Sequence, residues 1–433
     1  MPENEMLCRR LLERLEFLHP HVLPFAPANP LKRTYNKVVV HFVKMMRQRP
    51  LLSRLANSET LVQTIEGFQL KLDDVMVGGG LDASPMMTQW REQWDSDRAQ
   101  QYPILNDRVP RASERMLVNE IRGDNRLQEA LMTLWNGMNW GGLSPEMRQL
   151  KTQTFDRVSV YASQAGLQMF DWFIPIDNVE YGDETIGNVG TFGAVSRGTW
   201  THGGIRTPVV VKQLFPELSN DPGQRFLLQL QLWSSIPGDR HILKLHGGSH
   251  VSTPQFYVCE DAHLGNLTDF LAVNSTLFWR MFYQVAEGLQ VLHNRNIVHG
   301  GLKCNNILVG EGFTAKLSDF GFSTVRSLSA ALSAEAAQAT SDGIRWRPKE
   351  VLEETGNEEP QFASDIYSMG MCMIEVLTGG VPFGVEDDQI VMEKIMAGIL
   401  PDRPEGTFVS CTTLWTIIKF VKKSISAGNL NGE

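Results

Sequence analysis

No stretch of the 433-residue chain keeps about 18 uncharged apolar residues together, the length that a membrane-crossing helix needs. The most apolar segment, Tyr367 to Gly384, is broken by Gly370, Glu375 and Gly379. The start, Met1-Pro2-Glu3-Asn4-Glu5, lacks the basic opening and apolar centre of a signal peptide. Cysteine is scarce: Cys8, Cys259, Cys304, Cys372 and Cys411 are scattered, with no C-x-x-C spacing. That pattern excludes a disulfide framework and a cysteine zinc site, and a reducing cytoplasmic setting is expected. Positive charge is also in deficit. The net charge of -9 disfavours nucleic acid as a partner. The deficit is uneven, because residues 1 to 54 carry a surplus of about six positive charges, including Arg9, Arg10, Arg14, Lys32, Lys37, Arg49 and Arg54. Such a face suits peripheral contact with an anionic membrane or with an acidic partner; the plainer reading is a solvated helix surface.

What is present is first of all helical periodicity. Leu7, Leu11, Leu12, Leu15 and Leu18 recur at three- and four-residue steps, predicting a helix over about 6–17 that the proline-rich stretch His19 to Pro30 ends. A second is expected over about 32–49 with Val39, Phe42, Val43 and Met46 on one face. A third runs from Ser58, as N-cap, to Val77, stopping at Gly78-Gly79-Gly80. Trp90 and Trp94 share a further helix, Glu114 to Trp135 reads as one more, and Ser144-Pro145-Glu146 opens a long one toward Met169. No catalytic constellation appears here. Residues 1–170 are expected to form an all-α bundle with a regulatory or partner-binding task.

The period shortens at Trp172-Phe173-Ile174-Pro175-Ile176, and a series of motifs follows. Gly187-Asn188-Val189-Gly190-Thr191-Phe192-Gly193-Ala194-Val195 is a glycine-rich turn between extended runs. Val209-Val210-Val211-Lys212 follows it, then Phe226-x-x-Gln229 on a helix over about 222–235. Gln255 to Ala262 reads as a strand entering a linker, and Phe278 to Asn294 as a helix. Next come His299-Gly300-Gly301-Leu302-Lys303-Cys304-Asn305-Asn306, Asp319-Phe320-Gly321, Arg345-Trp346-Arg347-Pro348-Lys349-Glu350, and Ala363-Ser364-Asp365. In this order and spacing they resemble the protein-kinase family, most closely its tyrosine-kinase-like group of Ser/Thr-type kinases, over about residues 177–406. His246 and His250 are four apart, but Gly247-Gly248 between them reads as a turn, so a zinc helix is not expected.

The resemblance implies an α+β, bilobal kinase-like domain behind the bundle, with residues 407–433 as a divergent, shortened tail. It implies ATP and Mg²⁺ as cofactors. Gly187, Asn188, Gly190, Phe192, Gly193 and Val195 would cover the phosphates, and Lys212 would reach them with Gln229 as its neutral partner. Cys259 would be the gatekeeper behind adenine, with Glu260 and Ala262 meeting the base through their backbone. Asn306 and Asp319 would hold the metal, Lys303 would steady the transferring phosphoryl group, and Asp365 would brace the catalytic loop. The departures are equally specific. Gly301 stands at the position of the Asp that orients the substrate hydroxyl, and Gly300 replaces the Arg before it. Asn188 holds the first glycine position, and Pro348-Lys349 replaces Ala-Pro. Ser327, Ser329, Ser333, Thr340 and Ser341 lie in the expected activation segment. The expectation is a nucleotide-responsive pseudokinase switch that relays its state to the bundle or a partner kinase. Two alternatives stand beside it: a slow Ser/Thr protein kinase acting on a protein substrate, and a bundle acting at membranes with the kinase-like domain as its lock.

Overall fold

The computed structural model describes residues 2–46, 49–121, 123–138, 142–163, 168–186, 193–214, 222–320, 343–352 and 362–402. The chain divides into two compact units. The first comprises Met1–Pro208, Lys212–Phe215 and Gly248–Phe256; the second comprises Val209–Val211, Pro216–Gly247 and Tyr257–Glu433.

The first unit opens with α1 (Glu5–Val22), which buries Leu7, Leu11, Leu15, Leu18 and Val22. Contrary to expectation, Pro20 lies inside this helix. Leu18 and Val22 on either side of it are buried, and the Leu23 N–H bonds the His19 carbonyl at 3.0 Å, so packing carries the helix past the lost donor. Helix α2 (Pro30–Met45) starts on Asn29, whose Oδ1 accepts the Leu31 N–H at 2.8 Å. Its buried face is Tyr35, Val38, Phe42 and Met45, whereas Val43 and Met46 are exposed. The expected face is rotated because Tyr35 anchors it, donating its hydroxyl to the Leu15 carbonyl at 3.0 Å.

After α3 (Leu51–Ala56) comes α4 (Ser58–Gly78), preceded by Asn57; Ser58 is a buried first-turn residue and does not cap. The end of α4 is fixed by Gly80 at φ +71°, with Leu81 N–H on Met76 O (2.8 Å) and Gly80 N–H on Val77 O (3.1 Å). That pair of bonds is the Schellman closure. Helices α5 (Gln89–Ala99) and α6 (Gln101–Arg108) follow. The single helix expected over 114–135 is two, α7 (Glu114–Asn119) and α8 (Asp124–Met138), because Gly123 at φ +101° breaks the run. Helix α9 (Pro145–Ser163) is capped by Ser144, whose Oγ accepts the Met147 N–H at 3.2 Å.

Two buried cations fix the register of these helices. Arg14 (α1) reaches Asp73 and Gln69 of α4, and Lys151 (α9) reaches Glu59 of α4 and the Ala56 carbonyl. Removing one partner of such a pair strands a buried charge, which is why each ties its two helices tightly.

All five strands of the sheet contribute residues to this unit, in the order β1-β2-β3-β5-β4. They are β1 (Val179–Thr185), β2 (Gly193–His202), β3 (Ile205–Leu214), β4 (Leu245–Ser249) and β5 (Gln255–Cys259). β1 and β2 are antiparallel, with Val179 opposite Trp200. The turn from β2 to β3 is Gly203-Gly204, both at positive φ, as a two-residue hairpin loop requires. The helices are joined to this sheet side of the unit. Met132 of α8 clusters with Phe173 and Val251. Around that apolar patch Arg49 forms a two-pronged pair with Asp177, and Thr60 donates to Asn178 Oδ1 (2.8 Å). Ser252 donates to Glu129 Oε1 (2.6 Å), and Glu180 accepts from Lys71 and Arg206. Five of the N-terminal cations, Arg9, Arg10, Arg14, Arg49 and Arg54, are thus matched by acids within the unit.

The second unit holds α10 (Pro222–Ser234), α11 (Leu267–Val273), α12 (Phe278–His293), the hairpin β6 (Ile307–Gly310) and β7 (Thr314–Leu317), α13 (Lys349–Leu352), α14 (Phe362–Thr378) and α15 (Asp388–Met396). Asn266 caps α11 by accepting the Asp269 N–H at 2.9 Å. The α14 helix buries Tyr367, Met371, Cys372, Met373 and Ile374. Among the described residues no helix is long and apolar enough to cross a membrane. The fold class is the expected α+β one, helices first and a sheet with further helices after.

Candidate active site

The loop from His299 to Asn306 is held by one carboxylate. Asp365 on α14, 1% exposed, accepts the His299 N–H (Oδ2, 2.8 Å) and the Gly300 N–H (Oδ1, 2.9 Å), and its Oδ2 lies 2.8 Å from His293 Nε2. Asp365 therefore braces the loop, as the resemblance implied. Gly300 adopts φ +68°, a conformation that suits a residue without Cβ. The buried His299 imidazole takes the Gly301 N–H on Nδ1 at 3.3 Å, and burial lowers its pKa, so it is a neutral structural ring.

Gly301 is the residue that the resemblance sets at the base position. A Cβ built there meets no atom within 4 Å, and its φ is outside the left-handed region. The backbone is thus shaped to accept an ordinary side chain, although the sequence supplies none. Asn306 donates Nδ2 to the Gly301 carbonyl at 2.7 Å, so amide Oδ1 is the atom with which it would take a metal. The Asn306 carbonyl accepts both the Ser318 N–H (2.9 Å) and the Ser318 hydroxyl (3.0 Å), so Asn306 is tied to the residue before Asp319. Asp319 sits at φ +56° and accepts the Tyr257 hydroxyl on Oδ1 at 2.8 Å. A carboxylate oxygen with an amide oxygen is the hard donor set that magnesium takes, so these residues fit that ion. Lys303 is half-buried in extended backbone.

Cys259 is buried, 3.7 Å from the Val210 carbonyl, as a packing thiol. The Glu260 N–H is taken by the Lys244 carbonyl (3.0 Å), so this residue would meet a base through its own carbonyl. The Ala262 carbonyl is taken by the Gly265 N–H (3.3 Å), leaving its N–H for that role. The Glu260 carboxylate pairs with Lys316 at 2.9 Å. Gln229 is buried on α10 beside Phe226 and Leu230, with no partner for Nε2 among the described residues. Lys212, Gly193 and Val195 lie in β3 and β2 of the sheet. Gly187, Asn188, Gly190 and Phe192, Gly321, the serines of the activation segment and the tail beyond 402 lie outside the described residues.

Three residues here were not singled out from sequence. Tyr257 and Trp233 complete an aromatic column: His299 to Phe320 (6.2 Å between ring centroids), Phe320 to Trp233 (5.4 Å), Trp233 to Tyr257 (5.1 Å). Strand alternation gave the clue, since Tyr257 is two residues before Cys259 and shares its face. Glu375 accepts the Trp346 indole N–H at 2.8 Å and the Cys304 N–H at 3.3 Å. Cys304, Cys372 and Glu375 crowd together, yet burial pushes both thiols up and Cys304 Sγ donates to the Cys372 carbonyl. These are protonated packing thiols. His250 is likewise packed edge-on against Phe170 and Trp172, with burial lowering its pKa to about 4.

Residues 182–419, more than half of the chain, match the family model for protein tyrosine and serine/threonine kinases. Among curated proteins, the serine/threonine-protein kinase A-Raf of Sus scrofa is 30% identical over 268 residues, 59% of this chain and 42% of that one. The RAF proto-oncogene serine/threonine-protein kinase of Xenopus laevis is 31% identical over 227 residues, 49% of this chain and 33% of that one. A putative serine/threonine-protein kinase/receptor of Acanthamoeba polyphaga mimivirus is 28% identical, over 53% of this chain and 14% of its own. The chain thus spans less than half the length of these relatives. With the loop braced by Asp365, Asn306 tied to Ser318 and the aromatic column in place, the match over residues 182–419 places this chain in the protein tyrosine and serine/threonine kinase family.

Proposed function

We propose that this protein binds ATP with Mg²⁺ and acts mainly as a pseudokinase signalling switch in the cytoplasm, its phosphotransfer impaired by Gly301. The observation that carries this reading is the contrast within one loop. Asn306 and Asp319 keep the donor groups for magnesium and Asp365 keeps the loop braced, while Gly301 offers no side-chain oxygen to a substrate hydroxyl. A positioned general base contributes about 10²- to 10⁴-fold, so its absence leaves binding intact and turnover slow.

The N-terminal helices are the regulatory element in this reading. Their contacts to Asp177, Asn178, Glu180 and Ser252 flank β1 and β4, so a change in the sheet on nucleotide binding has a direct route to α4 and α8. Signal output would pass through those helices to a protein partner such as another kinase. Hydrogen exchange with and without Mg-ATP tests this: slowed exchange in α4 and α8 of the wild type, absent in Lys212→Met, is expected. Unchanged exchange in those helices despite bound nucleotide would refute the relay.

A second reading, a slow transferase acting on Ser or Thr of a protein substrate, draws support from the retained Lys303 and from relatives named as serine/threonine kinases. The membrane reading draws less, since Arg10, Arg14 and Arg49 of the N-terminal surplus pair with Asp97, Asp73 and Asp177 from outside residues 1–54.

A further inference from the structure

Tyr257 is the central residue of β5, 3% exposed, where a phenol hydroxyl must find a partner or incur a desolvation cost. Its partner is the Oδ1 atom of Asp319, at 2.8 Å. The phenol ring itself has little freedom. Trp233 of α10 meets it edge-on (69°, 5.1 Å), Phe226 lies nearly parallel at 6.4 Å, and Trp233 is fixed in turn by donating its indole N–H to the Leu243 carbonyl at 3.0 Å. The hydroxyl is therefore presented from an immobile ring.

The backbone of Asp319 is set by its left-handed φ and by the double bond from Ser318 to the Asn306 carbonyl, but neither fixes the rotation of its carboxylate. We propose that Tyr257 is a positioning residue for the metal: its hydroxyl pins Oδ1 of Asp319 so that Oδ2 is the oxygen offered to magnesium beside Asn306 Oδ1. This inference rests on the proposed nucleotide site and adds to it a residue outside the usual motifs. Partners that orient a metal ligand in this way typically account for 10- to 100-fold in metal affinity. The same ring also links the metal ligand to α10, because the side chain that holds Asp319 is itself held by Trp233 and Phe226.

The test uses the full chain and calorimetric titration of ATP, once with saturating MgCl₂ and once with EDTA, for the wild type, Tyr257→Phe and Asp319→Asn. Phenylalanine keeps the ring in the column and removes only the hydroxyl. The expected result is that the wild type binds ATP more tightly with magnesium and that Tyr257→Phe loses about 10-fold of that gain. Its affinity in EDTA should stay at the wild-type value, which also reports an intact fold. Asp319→Asn should lose the magnesium-dependent gain entirely. A Tyr257→Phe protein with the full magnesium gain, or a larger one as expected if the hydroxyl competed with the ion, overturns the proposal alone. A Tyr257→Phe protein whose EDTA affinity falls as far as its magnesium affinity also overturns it, because the hydroxyl would then be structural. A wild type that binds ATP equally in both buffers, or in neither, overturns the nucleotide reading together with this one.

Discussion

Asp365 and Gly301, the brace of the loop at His299 to Asn306 and a position inside that loop, stand in contrast. Asp365 is buried on α14 with three hydrogen-bonding partners, while Gly301, which the resemblance sets at the base position, has open space where a Cβ would be. The first residue holds the shape of the loop, and on the proposed reading the second is where a base is missing. The contrast shows that the backbone geometry of this loop is maintained from outside it, by a side chain on α14, and does not depend on a side chain at Gly301.

Changes that attack the brace should have the largest effect. Asp365→Ala leaves the His299 and Gly300 N–H groups unpaired in a buried site, and a loss of about 3–5 kcal/mol is expected from chemical denaturation. If the stability fell by less than about 1 kcal/mol, the loop would have to be held by other contacts.

Next comes acid sensitivity in the first unit. Burial depresses the His250 pKa to about 4, so the folded state binds fewer protons than the unfolded state between that value and the ordinary one near 6.5. Stability from this group is therefore complete above pH ~6.5 and is lost as pH falls toward ~4, on the order of 3 kcal/mol. Glu129 opposes it: burial raises that carboxyl, so its contribution favours the lower end of its titration. His250→Phe should flatten the acid limb of a stability-against-pH curve; an unchanged limb would assign the acid loss to other groups.

A smaller effect is expected where helices and sheet meet. Arg49 and Asp177 are each about one-quarter exposed. A double-mutant cycle on the pair should give about 1 kcal/mol of coupling, while Lys71 with Glu180, roughly 40% exposed, should give nearly none. The smallest change in stability belongs to Gly301→Asp, within about 0.5 kcal/mol of wild type, since nothing obstructs the new side chain.

The parts of the fold legible in sequence were those fixed by local chemistry. The Ser144 cap, the Gly80 stop and the order of the kinase motifs all act through residues adjacent in the chain. The readings that failed depended on tertiary packing. Pro20 stays helical because Leu18 and Val22 are buried, and the face of α2 is turned by Tyr35 reaching Leu15. The split at Gly123 was written in the sequence but outweighed by the apolar period around it. At the site, the bracing role of Asp365 was readable from the motif order, whereas Tyr257 and Glu375 serve through partners 62 and 71 residues away, and no spacing rule reports such pairs.

The most direct test of the central claim is phosphate transfer from labelled Mg-ATP to the protein itself and to a generic basic protein, by wild type, Gly301→Asp and Lys212→Met. Wild type is expected to match Lys212→Met, and Gly301→Asp to rise above both by about 10²-fold or more. Wild-type transfer clearly above Lys212→Met would contradict it and identify a kinase that works without the usual aspartate.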